Sequence, residues 1–416
     1  MTNFSAMNPE SKSNAMHISA IADQYGIDMA IVIQACRVHF GTASIHELNK
    51  LLNTAPEAHS RVALLSRLHR IRPIVYRVLL ETNIPAQIKE QLKNELHAIT
   101  LHNFAIAQEN QRIVNRLNAH DIAAIPYKGV AFSKEFYGDI SMRESSDIDL
   151  IIDKEKVTNA IQLFEEDGFS VSYFQLPPNG NESYYIENKD LCFDKKTEQY
   201  NWHIELHWMI THPNYGAPLS LNTFQLNRKQ TGENILSQQE HLRATLLHHM
   251  VHDGIEYIKT LLDLTQAIIS IRKSENSNQL STHLKSLNHH YYTPSIGRAI
   301  ELLFGVDTKE LGACTQRDGI IAQSIVSYNL SSTIGKYKRH KIVSLLQHYL
   351  RTSANRTRFI KDKKERVHFL FKYWTNVIQP QAGDKATIKL PFFLSWLYFF
   401  IRPFRILLRK KENPAT

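Results

Sequence analysis

The chain has few of the residues that staple or punctuate a fold. Cysteine occurs three times in 416 residues, as Cys36, Cys192 and Cys314. The three are far apart and form no CxxC, which excludes a zinc ribbon and a disulfide framework. A sparse, odd count fits a reducing, cytoplasmic compartment. Glycine (15) and proline (14) are too scarce for a collagen-like or linker-rich chain. The first twenty residues have no apolar core, so they are expected to be a polar tail rather than a secretory signal, with Met7 or Met16 as alternative starts. No P-loop, GxGxxG or GxSxG occurs, so kinase-like NTPase, dinucleotide-binding and hydrolase-elbow chemistry have no motif to stand on. The aromatic run LPFFLSWLYFFI at 390–401 is uncharged for twelve residues. As a helix it would measure ~18 Å, short of the ~30 Å hydrocarbon core, so it is not a membrane span.

Hydrophobic residues at 43% and charged residues at 21% are ordinary globular usage. The length allows two or three domains, or one elaborated domain. The net charge of +9 hides an asymmetry: residues 331–416 hold 19 Lys/Arg and 4 Asp/Glu, a net of +15, and the first 330 residues have a net of −6. A basic end implies an anionic neighbour or a solvated basic face. The aromatic run is followed by Arg402, Arg405, Arg409, Lys410 and Lys411. Residues 388–416 thus read as a basic amphipathic segment. It either rests in the interface of an anionic membrane, peripheral to its inner face, or docks on the body of the protein.

Periodicity divides the rest. After a polar tail at 1–17, residues 18–120 read as helical, with Pro73 at a break and Pro85 at a position where a first-turn proline is tolerated. The pattern changes at 121–234. IAAIPYKG reads as a short strand turning at Gly129, and VAFSKEFYGD as a short helix or turn. SSDIDLIID (145–153) alternates as a strand, and KEKVTNAIQLFEEDGF is a helix stopped by Gly168. SVSYF, ESYYIE with DLCFD, and YNWHIELHW read as further strands. Helical periodicity returns over 235–387. The fold class is α+β: a small mixed sheet flanked by N-terminal and C-terminal helical domains. Chemistry belongs in the cleft they form.

In SSDIDLIID, Ile148, Leu150 and Ile152 share one face, and Asp147 and Asp149 share the other, with Cα atoms ~6.6 Å apart. Carboxylates on such a strand need a compensating cation or open water. A divalent Mg²⁺ or Mn²⁺ is the simplest cation, because hard oxygen donors suit it. In YNWHIELHW, His203, Glu205 and His207 share a face opposite Ile204 and Leu206. If the two strands are neighbours, Glu205 is a third carboxylate, the set that in-line phosphoryl or nucleotidyl transfer uses. Lys128, Gly129 and Arg143 are candidate phosphate contacts or plain surface residues. In LLHHMVHDG, His248 and His252 stand four apart on one helix face. They either pack, line the cleft behind the carboxylates, or bind zinc together with His203 and His207.

The stretch YKGVAFSKEFYGDISMRESSDIDLIID followed by HIELHW resembles the uncharacterised nucleotidyltransferase family of the DNA polymerase beta-like superfamily. The matching positions are Lys128, Gly129, Tyr137, Arg143, Asp147, Asp149, Leu150, Glu205, Leu206, His207 and Trp208. The helical stretch 241–264 and the closing LYFFIRPFRILL resemble that family more loosely. Tyr127 stands where Leu is common, and Lys-Gly stands where the wider superfamily usually has Gly-Ser. The resemblance implies that Asp147 and Asp149 bind metal and a nucleoside triphosphate, and that Glu205 is a third ligand that orients the nucleophile. It also implies, more distantly, a link to surface-polysaccharide assembly.

Three functions compete. The first is a metal-dependent nucleotidyltransferase moving NMP from an NTP to a hydroxyl of a saccharide, small molecule or protein. The second is a non-catalytic nucleotide-binding or regulatory module on the same fold. The third is a zinc hydrolase built on the histidines. Nucleic acid ranks below a saccharide or protein as acceptor, because the aromatics cluster in one run instead of interleaving with Lys/Arg.

Overall fold

The computed structural model describes residues 15–172, 182–212, 220, 223–224, 226–228, 234–274, 277–331, 341–379, 388 and 390–402. The first α-helices among the described residues are α1 (Ile18–Tyr25), α2 (Ile27–His39), α3 (Ile45–Thr54), α4 (His59–Leu68) and α5 (Arg72–Leu80). A long helix, α6 (Ala86–Asn118), leads to β1 (Ile125–Pro126), the short α7 (Gly129–Phe132) and β2 (Ile148–Ile151). Next come α8 (Val157–Glu166), β3 (Ser170–Val171), α9 (Glu182–Glu187), β4 (Asp190–Lys196) and β5 (Asn201–His207). A small hairpin, β6 (Leu226–Arg228) with β7 (Asn234–Leu236), precedes α10 (Gln238–His248). The remaining helices are α11 (Ile258–Lys273), α12 (Ser277–His290), α13 (Thr293–Phe304), α14 (Gln316–Leu330), α15 (Lys341–Thr357) and α16 (Lys363–Ile378). The basic stretch beyond residue 402, like the tail before residue 15, lies outside the described residues.

The main sheet has the order β1-β2-β5-β4-β3. Its middle pair, β2 and β5, is parallel, and the other pairings are antiparallel. One face is apolar: Ile148, Leu150 and Ile152 join Ile204 and Leu206 under α8 (Val157, Ala160, Phe164) and the second half of α6 (Ile113, Val114, Leu117). This is the alternation expected of a strand with one buried face. The first half of α6 (Leu92, Leu96) belongs to a different core, shared by α1–α5, α10 and helices after it. The two helical regions of the sequence therefore meet in space. Arg37 of α2 donates to the Leu303 carbonyl at 2.7 Å, and Thr42 donates to the Phe304 carbonyl at 2.5 Å. α6 is the beam that ties this helical body to the sheet.

One local expectation is overturned. ESYYIE is not a strand but the helix α9. The Tyr184 and Tyr185 rings lie 6.3 and 5.5 Å from the buried Trp208 ring, and Trp208 donates its indole N–H to the Tyr185 carbonyl. Packing on that ring outweighs the β-preference of the two tyrosines, as tertiary context commonly does.

Candidate active site

The face of the sheet opposite the apolar one carries the candidate site. Parallel register sets Asp149 beside Glu205 and Ile151 beside His207. Antiparallel register sets Glu205 beside Cys192, His207 beside Asp190 and His203 beside Asp194. Three ranks of polar side chains thus cross the strands. Asp147 stands one residue before β2, and continuing the register brings it level with His203. The proximity of the two acidic segments, open from sequence alone, is set by the β2–β5 pairing.

Cations and hydrogen-bond donors meet these carboxylates. The Lys128 ammonium lies 2.7 Å from Asp149 and 4.0 Å from Glu205. His207 is fully buried, with Nε2 3.3 Å from Asp149, 3.2 Å from Glu205, and Nδ1 3.6 Å from Asp190. Burial opposes charge on Lys128, but Asp149, then Tyr127 and Glu205, hold its ammonium well above the ordinary lysine value. Burial likewise opposes charge on Glu205, and the bond to His207 with the charge of Lys128 reverses the balance and holds the carboxyl far below the usual range. Asp147 goes the other way: burial, and next Asp149, raise it. Lys128 faces Asp149 and Glu205, and Lys189 pairs with Asp190 at the far end of the group, while Asp147 has no ion pair of its own among the described contacts. Oxygen donors dominate it. Asp149, Glu205 and His207 each offer a ligand atom within 4.8 Å of the others. Such a set suits a hard divalent cation.

Lys128 reaches this position from a strained backbone. It is a non-glycine residue with φ 55° and ψ −157°, a conformation costing of order 1–3 kcal/mol that persists only when its surroundings hold it. Its N–H donates to Nε2 of His241 at 3.1 Å, and Nδ1 of His241 meets Glu135 at 2.5 Å. The bond to Glu135 keeps a proton on Nδ1 and leaves Nε2 free to accept. Gly129 follows at φ 45°, where a Cβ would stand 3.5 Å from the Asp147 carbonyl. The turn therefore lies directly against the acidic strand.

Arg143 is buried. Its Nε donates to Asp263 of α11 at 2.8 Å, and Tyr137 donates to the same carboxylate at 3.0 Å. Asp263 therefore orients Arg143, and that guanidinium adds its charge to the field at Asp147. The loop that carries Arg143 is pinned by Asn103 of α6, whose amide donates to the Ile140 and Arg143 carbonyls at 2.7 Å each, and by the Arg72–Glu144 ion pair at 2.7 Å. Lys259 donates to the Glu144 carbonyl at 2.8 Å. Burial, and then the neighbouring Arg143, push its ammonium down to about 7.

The histidines divide. His207 belongs to the carboxylate cluster. His203 pairs with Asp194 at 2.6 Å and lies close to Cys192 and Glu205. His248 and His252 stack at 4.8 Å between ring centroids and share Asp253, at 3.6 and 3.1 Å. His248 also receives the Lys128 ammonium at 3.5 Å, so it lines the wall behind that lysine. Among the described residues, no group of close donors holds more than two of the four histidines. Asp253 sits in a π-turn (His249–Asp253) closed by Gly254 at φ 64°, and Glu135 sits in a second π-turn (Ser133–Tyr137) closed by Gly138 at φ 75°. Such turns recur at functional sites.

Sequence reasoning did not single out Glu135, Asn103, Asp190, His241 or Lys259. Glu135, His241 and Lys259 lie inside the stretches that resemble the family but at none of its matched positions, and Glu135, Asn103, His241 and Lys259 act across long gaps in the chain. No helix among the described residues is long and apolar enough to cross a membrane. Comparison with curated proteins and with solved structures gives no significant match. A family model described as "Uncharacterised nucleotidyltransferase" matches residues 56–298, more than half of the chain and all of the site described above. The chain belongs to that family, and is a nucleotidyltransferase by class.

Proposed function

We propose that the chain moves a nucleoside monophosphate from an NTP to a hydroxyl acceptor, with Mg²⁺ or Mn²⁺ held by Asp147, Asp149 and Glu205. The observation that carries this reading is the β2–β5 register, which sets Asp149 beside Glu205, with Asp147 one residue before the strand. A bound divalent cation would supply charge for the phosphoryl oxygens and the leaving pyrophosphate. The chain's own groups do the rest. Lys128 leaves Asp149 to contact the triphosphate, and His248 stands 3.5 Å from its ammonium to receive it. The Gly129 turn offers backbone close to the phosphates. Arg143, held by Asp263, adds positive charge at Asp147. Glu205 orients the acceptor hydroxyl, and His207, bonded to both Asp149 and Glu205, fixes the separation of the two carboxylates.

The acceptor is a hydroxyl of a saccharide, small molecule or protein, and a saccharide accords with a role in surface-polysaccharide assembly. Two other readings have less support. A zinc hydrolase on His203, His207, His248 and His252 needs the four at one point, and they fall in separate groups. A non-catalytic module has no use for buried carboxylates, whose desolvation is costly. The test is calorimetric binding of Mg-ATP and Mg-GTP. Asp147→Asn with Asp149→Asn abolishes metal-dependent binding while the thermal transition persists. Undiminished binding by that variant overturns the proposal.

A further inference from the structure

Two adjoining elements near the C-terminus turn large apolar side chains to solvent. On α16, Val367 and Phe371 lie one turn apart and are 66% and 65% exposed, and Ile378 is also exposed. In the 3₁₀ segment Phe392–Leu397 and the helical residues after it, Phe393, Trp396, Phe399 and Phe400 are exposed, Phe393 by 74%. The Trp396 and Phe400 rings meet edge to face at 6.0 Å, so they share a side. This is not a frayed end. Tyr398 is buried, and its hydroxyl accepts the Leu390 N–H at 2.9 Å and donates to the Ile388 carbonyl at 2.7 Å. Arg402 is buried, and its Nε donates to the Val377 carbonyl at the end of α16 at 2.6 Å. Inward anchors on one side thus hold the aromatics outward on the other.

Single exposed apolar residues are ordinary, but several on adjoining elements mark a binding surface. Charge identifies the occupant. Lys363, Lys364 and His368 line the same depression as Val367 and Phe371, and the described residues 341–379 and 390–402 hold ten Lys/Arg against two Asp/Glu. A second copy of this chain would bring like charge against like. An anionic lipid surface satisfies both halves of the face: aromatic rings suit the headgroup–acyl boundary, and lysines suit the phosphates. We infer that the face formed by α16 and residues 390–402 docks on an anionic phospholipid surface, with Phe393, Trp396, Phe400, Val367 and Phe371 in the interface and Lys363 and Lys364 on the headgroups. The inference is independent of the transfer chemistry.

Flotation of the full chain with phosphatidylglycerol–phosphatidylcholine vesicles, against pure phosphatidylcholine, tests it. The chain floats with the anionic vesicles only, and less as salt is raised. Phe393→Ser with Trp396→Ser and Phe400→Ser, and separately Lys363→Glu with Lys364→Glu, each lower the partition at least about tenfold without a change in Tm. Trp396→Phe floats like the parent and loses part of the fluorescence blue shift that vesicles induce. Failure of the parent to float, or equal flotation of the serine variant, overturns the inference. So does a dimer by light scattering that the serine variant dissociates while neither chain floats.

Discussion

Lys128→Met separates a cation held for structure from one that keeps a place for metal. The ammonium lies 2.7 Å from Asp149, with the two side chains 10% and 3% exposed. Removing one partner of such a buried pair typically costs about 3–5 kcal/mol, because the remaining charge is left without compensation. Asp147 and Glu205 share the loss, since both lie in the field of the same ammonium. For a chain of this size the expected fall in Tm is roughly 3–6 °C. Added Mg²⁺ then stabilises the two proteins to different extents. In the parent a divalent cation must displace the ammonium from Asp149, but in the variant it enters without displacement. Mg²⁺ at a hundredfold excess over its Kd returns about 2.7 kcal/mol to the variant. Scanning calorimetry with and without Mg²⁺ therefore shows the larger metal-induced rise in Tm for the less stable protein. Adding Asp149→Asn to Lys128→Met removes most of both effects, because a neutral amide needs no counter-charge. A Lys128→Met protein as stable as the parent, or one whose Mg²⁺ response is no larger, refutes the argument.

Two further outcomes follow from the surroundings of the site. His241→Phe leaves the buried Lys128 N–H without its acceptor, which costs about 1–3 kcal/mol, and it releases the strained turn. Mg-ATP affinity by calorimetry falls about tenfold or more, whereas His241→Gln, which still offers an acceptor, recovers part of it; equal affinities for Phe and Gln would remove the positioning role. Lys259 predicts a pH dependence. Its folded value of about 7 lies below the ordinary 10.5. Below pH 7 both states hold the proton and the burial cost is felt in full. Between the two values the unfolded chain binds the extra proton, so stability rises with pH. Lys259→Met therefore raises Tm most at about pH 6 and makes little difference near about pH 10. A variant destabilised equally at both contradicts the assignment.

Much of the site was legible because strand alternation is a local rule. The period of two in SSDIDLIID and YNWHIELHW assigned Asp147 and Asp149, and His203, Glu205 and His207, to shared faces, and their partners Ile148, Leu150, Ile204 and Leu206 are buried on the other face. The helix stop at Gly168 is equally local, since φ is 81° there. What escaped is non-local. Glu135 and His241 are 106 residues apart, and Arg143 and Asp263 are 120 apart. ESYYIE escaped for the same reason, because its helix depends on the Trp208 ring brought to it by β5.

By itself the sequence determined which side chains share a face, where the basic and aromatic surplus lies, and that acidic chemistry is concentrated in one α/β stretch. These follow from backbone geometry and composition, which every residue carries locally. Only the tertiary structure decided that β5 lies parallel beside β2, that α10 and α11 supply His241, His248 and Asp263 to that sheet, and that Arg402 ties the C-terminal segment to the end of α16. Those depend on which distant surfaces exclude water together, a property of the assembled cores rather than of any one segment.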